Sequence, residues 1–228
     1  MGRAIVALAA ERGFEIALAI DAGDKLSALA GSGAEVAIDF SSPGATKDLA
    51  EAAAEAGVAI VSGTTGLTDD AAAALDRAAT RVAVAWEPNM SVGVHVLGVL
   101  VAQAVEMLGP DFDIEIVEAH HRLKADAPSG TALRIADIAR QARGGARFVH
   151  GREGRPGPRA ATEIGLHAVR GGDVIGDHSV HLLGYGERIE IAHRASSREL
   201  FASGALRLAG WIRGRAPGRY RMDDMLRT

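Results

Sequence analysis

Strands and helices alternate along the first half of this chain, and that alternation constrains the fold more than any other feature. Short apolar runs at Glu35–Phe40, Val58–Ser62 and Val82–Trp86 are separated by helix-forming segments. One helix runs from about Gly44 to Ala56 and stops at Gly57, a residue suited to the left-handed position past a helix end. Another is capped by Thr68, with Asp69 and Asp70 in the first turn, where the helix dipole favours them. Earlier, Arg3–Arg12 reads as a helix ending at Gly13, and Phe14, Ile16, Leu18 and Ile20 alternate as a strand ending in Asp21. Strands and helices in this order predict a parallel, doubly wound sheet.

The pattern changes after Ser91–Leu108, a long apolar helix ending at Gly109-Pro110. Phe112–Val117 alternates apolar and polar like a half-buried strand, and a helix follows over Ala132–Arg140. Arg143–Arg159 reads as a solvated loop; steering of a dianion by Arg140, Arg143, Arg147, Arg152, Arg155 and Arg159 is the alternative. Three extended runs come next, near Thr162–Val169, Asp173–Leu183 and Glu187–Ala195, with hairpin signals at Gly171-Gly172 and Gly184-Tyr185-Gly186. A last helix, about Arg198–Arg213, stops at Gly214. The expected architecture is α/β: a Rossmann-like doubly wound parallel sheet plus a C-terminal α+β domain with a mixed, mostly antiparallel sheet. Residues 1–89 and 201–228 are assigned to a dinucleotide-binding domain, and 90–200 to a substrate-binding and oligomerisation domain.

The chemistry concentrates in Glu118–Thr131, which reads E-A-H-H-R-L-K-A-D-A-P-S-G-T. A strand end delivers His120, His121 and Lys124. Ser129 is a good N-cap for the helix that follows, and Gly130 permits close backbone approach. Amides of Gly130 and Thr131 at that helix start form a ready carboxylate or phosphate site. The combination points to an acidic small molecule undergoing proton transfer. A solvated His-His loop before an ordinary helix start is the competing explanation. No metal is assigned, because adjacent histidines in extended backbone point apart and no zinc-like Cys/His spacing accompanies them.

Ligands of a doubly wound sheet bind at the carboxyl ends of its strands. Asp21, Gly63-Thr64-Thr65-Gly66 and Glu87-Pro88-Asn89-Met90 all fall there. Asp21 suits ribose hydroxyls, and Ala22 leaves no arginine to receive a 2′-phosphate, which favours NADH over NADPH. A dinucleotide fold also needs a strand and a G-x-x-G turn before its first helix. Met1-Gly2-Arg3 stands inside that helix, so either the start is misplaced or the first strand and phosphate loop are missing. In the second case the neighbouring strands are left with unpaired backbone groups.

Composition sets the outer limits. With 228 residues the chain can bury one generous core or two small ones. A net charge of −4 argues against a nucleic-acid binder, and zero cysteines exclude disulfides and thiolate chemistry. No apolar run is judged long enough to span a bilayer, and no signal peptide is recognisable, so a cytoplasmic location with no membrane partner is expected.

On these residues the chain resembles the 4-hydroxy-tetrahydrodipicolinate (dihydrodipicolinate) reductase family along nearly its whole length. The most specific match is E-A-H-H-R-x-K-x-D-A-P-S-G-T-A at 118–132. Ile38–Ser41, Gly63–Gly66, Asn89–Val94, Arg170–His178 and His193–Ser197 support it. The resemblance implies His120 and Lys124 as proton donors, and His121, Ser129, Gly130 and Thr131 as contacts to a small dicarboxylate substrate. It implies Met1 (the survivor of the phosphate loop), Asp21, Gly63, Thr64, Thr65, Glu87, Pro88, Asn89 and Met90 as contacts to NADH or NADPH. A homotetramer joined through the C-terminal domains is implied too. His95, His150, His167, His178, His181 and His193 are assigned structural or surface roles. The alternatives are a nicotinamide dehydrogenase for another amino-acid-derived substrate, and a dicarboxylate-binding remnant without turnover.

Overall fold

The computed structural model describes residues 1–227. The chain divides into two compact units, Met1–Val92 with the segment from Glu199 on, and Gly93–Arg198. In chain order the first carries α1 (Gly2–Ala9), β1 (Val36–Asp39), α2 (Pro43–Ala56), β2 (Ala59–Ser62), α3 (Asp69–Ala78) and β3 (Ala83–Trp86). At the boundary α4 (Val92–Leu108) begins, leading to β4 (Asp113–His120), α5 (Gly130–Ala142), β5 (Arg147–His150), β6 (Glu163–Arg170), β7 (Asp177–Leu183) and β8 (Arg188–Arg194). The chain returns to the first unit with α6 (Glu199–Ile212), β9 (Gly218–Tyr220) and α7 (Met222–Leu226).

In the first unit β1, β2, β3 and β9 form a parallel sheet in that order. Every residue of β2 is buried, as a strand covered on both faces requires. Ile60 and Val84 face Ala50, Ala53 and Leu75 of α2 and α3. Val61 and Ala85 face Ala205, Leu208 and Ile212 of α6. Helices on both faces make the sheet doubly wound, as the alternation predicts.

The strand predicted over Phe14–Ile20 does not form: the segment takes no place in either sheet. Alternation specifies a face but supplies no partner, and unpaired backbone gains nothing from being extended. Its side chains divide instead, Phe14 packing with Ile5, Ala9 and Leu206 and Ile20 against the α2–α3 core. After Gly214, where only a short tail was expected, β9 extends the sheet beyond β3 and α7 buries Met222 and Met225 against α6. Too short to carry periodicity, both elements left no signal in the sequence.

In the second unit the sheet order is β5-β6-β4-β7-β8. β6 runs parallel to β4, and β7 and β8 complete the other side antiparallel. The hairpin predicted at Gly171-Gly172 is therefore not a hairpin. β4 lies between β6 and β7, and the connection crosses its end, where the Gly171 amide donates to the His120 carbonyl at 3.0 Å. Glycine pairs mark a change of direction without saying which strand is the next neighbour. The hairpin at Gly184–Gly186 is present, closed by the Gly184 amide on the Glu187 carbonyl at 2.9 Å. Within the arginine-rich segment, Arg147–His150 forms an edge strand rather than loop.

Ile114, Ile116, Ile164, Leu166, Val180 and Leu182 pack one face of this sheet against Leu97, Val101, Ile135 and Ala139 of α4 and α5. The expectation that no apolar run approaches membrane-spanning length needs correction. Val92–Asp111 is 20 residues with mean hydropathy 1.7, long and apolar enough by those measures alone. Its Leu97, Val101 and Val105 are buried in the sheet's core, which accounts for one face of the helix, while Val96, Val99, Leu100 and Met107 stay exposed on the other.

Candidate functional site

The first unit builds its site on Asp39, which ends β1 and is buried. This carboxylate accepts hydrogen bonds from Ser41 N (2.9 Å), Ser41 Oγ (2.5 Å), Thr46 Oγ1 (2.6 Å), Ser62 Oγ (2.8 Å) and Thr64 Oγ1 (2.9 Å). Neutral donors thus take the place of a counter-ion, which a buried charge otherwise requires. The Trp86 indole donates to the Thr64 carbonyl at 2.8 Å, fixing the same loop from β3. At Gly63 a Cβ would fall 2.3 Å from Phe40 Cε1, so any side chain there would have to push the Phe40 ring aside.

Above these strand ends lies a cavity of about 280 Å³. Of the residues picked from the sequence, Met1, Gly63, Thr64, Thr65, Pro88 and Met90 line it, with Phe40, Ser41 and Phe201 completing the wall. Asp21, Glu87 and Asn89 do not. Asp21 sits in an exposed turn, its Oδ1 accepting from the Ala22 amide at 2.8 Å. Glu87 is buried, with Oε1 accepting from the Met222 amide at 3.0 Å, and Asn89 Oδ1 accepts from the Ser91 amide at 2.8 Å.

The second unit's site forms where β4 ends and α5 starts. Strict alternation puts Ile114, Ile116, Glu118 and His120 on the core side of β4. The apolar pair packs the core, and the polar pair continues the same face beyond it. Glu118 is only 1% exposed, and both its oxygens are engaged. Oε2 lies 2.6 Å from His120 Nδ1 and accepts from Arg170 Nη1 at 2.8 Å. Oε1 accepts from Arg170 Nη2 at 2.7 Å and from the Ser129 amide at 3.0 Å. Burial alone would raise the Glu118 pKa. The hydrogen bonds from Arg170, His120 and Ser129 outweigh it and hold the carboxyl below its ordinary value.

Ser129 caps α5, its Oγ accepting from the Ala132 amide at 3.1 Å and standing 3.2 Å from His178 Nε2. The His178 ring meets the His120 ring edge-on, centroids 5.3 Å apart, which closes a circuit of His120, Glu118, Ser129 and His178. Burial, reinforced by the nearby His120, pushes the His178 pKa down to about 4, so this imidazole is neutral near pH 7. Gly130 and Thr131 occupy the first turn of α5, where the helix itself offers amides no acceptor. Lys124 Nζ pairs with Asp126 Oδ1 at 2.7 Å, and His121 Nε2 stands 3.5 Å from Arg198 Nη2.

His120, Lys124, His121 and Ser129–Thr131 therefore all belong to this one unit, with His120 joined to Ser129 through Glu118. Sequence reasoning did not single out Glu118, Arg170 or His178. Extending the β4 alternation by two residues would have placed Glu118 on the core side, where a lone carboxylate demands a cationic partner. Arg152 and Arg159 are committed elsewhere. Arg152 spans Glu115 and Glu163, and Arg159 reaches Glu115 and Asp113. Among the described residues no group of three or more His, Cys, Asp or Glu is arranged to hold a metal ion.

A doubly wound sheet with a cavity at its strand ends, and a mixed sheet holding a buried histidine–carboxylate pair at a helix start, are the parts of a nicotinamide-dependent oxidoreductase. Comparison with known proteins gives the family. The model for the N-terminus of dihydrodipicolinate reductase matches residues 1–90 and that for its C-terminus residues 93–226, so the chain belongs to the dihydrodipicolinate reductase family. The 4-hydroxy-tetrahydrodipicolinate reductase of Myxococcus xanthus is 49% identical over 87% of this chain and 74% of its own length. That of Anaeromyxobacter sp. is 45% identical over 99% of this chain and 93% of its own. A dipicolinate-bound dihydrodipicolinate reductase from Paenisporosarcina sp. TG-14 superposes with a TM-score of 0.68 at 25% identity, over 82% of this chain and 71% of that one.

Proposed function

We propose that this chain catalyses the NAD(P)H-dependent reduction of 4-hydroxy-tetrahydrodipicolinate to tetrahydrodipicolinate, a step of diaminopimelate and lysine biosynthesis. The observation that carries the reading is the buried His120–Glu118–Ser129 cluster at the start of α5. It supports a proton-handling imidazole beside a carboxylate-binding helix start. Loss of water from the hydroxy substrate leaves a conjugated cyclic imine dicarboxylate. Reduction of its carbon–carbon double bond pushes an electron pair toward the ring nitrogen, and the resulting enamine takes a proton on carbon.

In this reading His120 delivers that proton. Ser129, Gly130 and Thr131 hold one carboxylate at the α5 start, with His121 beside them. Lys124, already an ion-pair partner of Asp126, supplies positive charge for the ring nitrogen or the second carboxylate. The first unit's cavity fits part of a dinucleotide: its size is at the lower end for ligand clefts, and its wall mixes apolar rings with the Ser41, Thr64 and Thr65 hydroxyls. Met1, Gly63–Thr65, Pro88 and Met90, which line the cavity, are the residues to hold a reduced nicotinamide cofactor, which would supply the hydride. Glu87 and Asn89 act behind them, on the Met222 and Ser91 amides. Of the two cofactors, NADH is the expected choice, because the exposed Asp21 carboxylate suits ribose hydroxyls and repels a 2′-phosphate. Asp21→Ala should weaken NADH more than NADPH; equal losses would remove Asp21 from the ribose site.

A cytoplasmic location and a homotetramer complete the proposal. Light scattering at micromolar concentration tests the assembly, and a monomer would refute it. One observation favours a second reading, dicarboxylate binding without turnover: Phe14–Ile20 runs outside the sheet. The deciding experiment adds enzymatically generated hydroxy-tetrahydrodipicolinate to enzyme with NADH or NADPH. Cofactor oxidation should begin with that substrate and not with aspartate or homoserine derivatives. Calorimetric binding of pyridine-2,6-dicarboxylate without cofactor binding or oxidation would establish the second reading.

A further inference from the structure

We propose that Glu118, clamped by Arg170, is a positioning residue that fixes the tautomer of His120, so that the proton transferred in catalysis is carried by Nε2. The inference deepens the reductase reading and rests on it for its link to turnover.

The geometry leaves little freedom. Arg170 grips both Glu118 oxygens, at 2.8 and 2.7 Å, and itself donates to the Asp126 carbonyl at 2.6 Å. A bidentate guanidinium fixes the plane of its carboxylate, and the Ser129 amide takes another lone pair of Oε1. What remains on Oε2 points to His120 Nδ1 at 2.6 Å. An ionised carboxylate can only accept, so Nδ1 must donate, and in the neutral ring Nε2 is then the bare nitrogen. The proton it passes to substrate is one it first takes from solvent, forming the imidazolium and returning to the neutral ring on transfer. Arg170 also holds the Glu118 charge in place when the substrate's own negative charge arrives.

The space beside Nε2 is left open by Gly176, in the connection from β6 to β7. A Cβ there would sit 3.0 Å from Nε2 and 3.7 Å from His178 Cε1. The titratable and charged groups around His120 are Glu118 on its own strand, Arg170 at the end of β6 and His178 on β7. His193 opposes His178 on β8, and Lys124 and Asp126 lie in the loop after β4. Glu118 is the acceptor in direct contact with the ring, and His178 is directed to Ser129.

Long-range proton–nitrogen correlation spectra of the wild-type chain without cofactor, recorded above neutral pH, test the assignment directly. The expected result is that the singly protonated His120 ring carries its proton on Nδ1. A proton on Nε2 would overturn the proposal. Glu118→Gln keeps the shape but offers Nδ1 no obligate acceptor. It should mix the tautomers and lower kcat roughly 10- to 100-fold with a smaller change in KM. Arg170→Lys keeps the charge but loses the fork, and should give an intermediate loss. Wild-type tautomer and kcat in Glu118→Gln would equally overturn the assignment. Should that variant fail to fold, the wild-type spectrum and Arg170→Lys decide. A wild-type chain with the Nδ1 proton but no turnover counts against the proposed function alone.

Discussion

Acid should destabilise the second unit well before its carboxylates titrate, and His178 is the reason. Burial and the neighbouring His120 lower its pKa from 6.5 to about 4. A base whose folded pKa is depressed stabilises the fold fully above its unfolded pKa. That contribution is lost as pH falls from 6.5 toward 4, because the unfolded chain binds a proton that the folded one refuses. Two-state linkage with these values gives a loss of about 2 kcal/mol between pH 7 and pH 5, about 1 kcal/mol per pH unit against a limit of about 1.36 for one proton. Both tryptophans, Trp86 and Trp211, belong to the first unit, so their fluorescence does not report on this event. Hydrogen exchange of the β4 and β7 amides, corrected for intrinsic rate, does. His178→Gln can still hydrogen-bond Ser129 but cannot titrate, and should remove most of the pH dependence. The slope that remains belongs to groups such as His193, whose pKa burial also lowers. Equal slopes in the wild type and the variant would refute the reasoning.

Asp39→Ala strips the acceptor from five donors at once. With unsatisfied buried groups costing about 1–3 kcal/mol each before any relaxation, the first unit should lose at least about 3 kcal/mol in urea melts followed by tryptophan fluorescence. A loss below about 1 kcal/mol would show that the network is solvated. Ser129→Ala removes the α5 cap and should cost about 1 kcal/mol. It should also weaken pyridine-2,6-dicarboxylate in calorimetry; unchanged affinity would place the dicarboxylate elsewhere.

Much of this was legible in the sequence where local pattern and tertiary structure agree. Thr68 and Ser129 cap the helices they were expected to cap, and β1, β2 and β3 lie within a residue of the apolar runs that announced them. The local pattern failed where a partner decided the outcome. Phe14–Ile20 has the alternation of a strand but pairs with no strand, although β1 ends its sheet, and Gly171-Gly172 turns the chain past β4 rather than back on β6. At the site, the residues bearing obvious chemistry, His120 and Ser129, could be read directly. The residues that hold them could not. Arg170 reaches Glu118 across 52 positions of sequence, and Ser129 meets His178 across 49. Spacing cannot encode such contacts; only parallel pairing of β4 with β6 and antiparallel pairing with β7 creates them.

The central claim is that His120 is the proton donor of a site whose carboxylate grip lies at the start of α5. Steady-state reduction of hydroxy-tetrahydrodipicolinate by His120→Gln, beside calorimetry with pyridine-2,6-dicarboxylate, tests it most directly. Turnover should fall by at least about a hundredfold, as expected for loss of a general acid, while dicarboxylate affinity stays within a few-fold of wild type. Turnover equal to the wild type would contradict the claim.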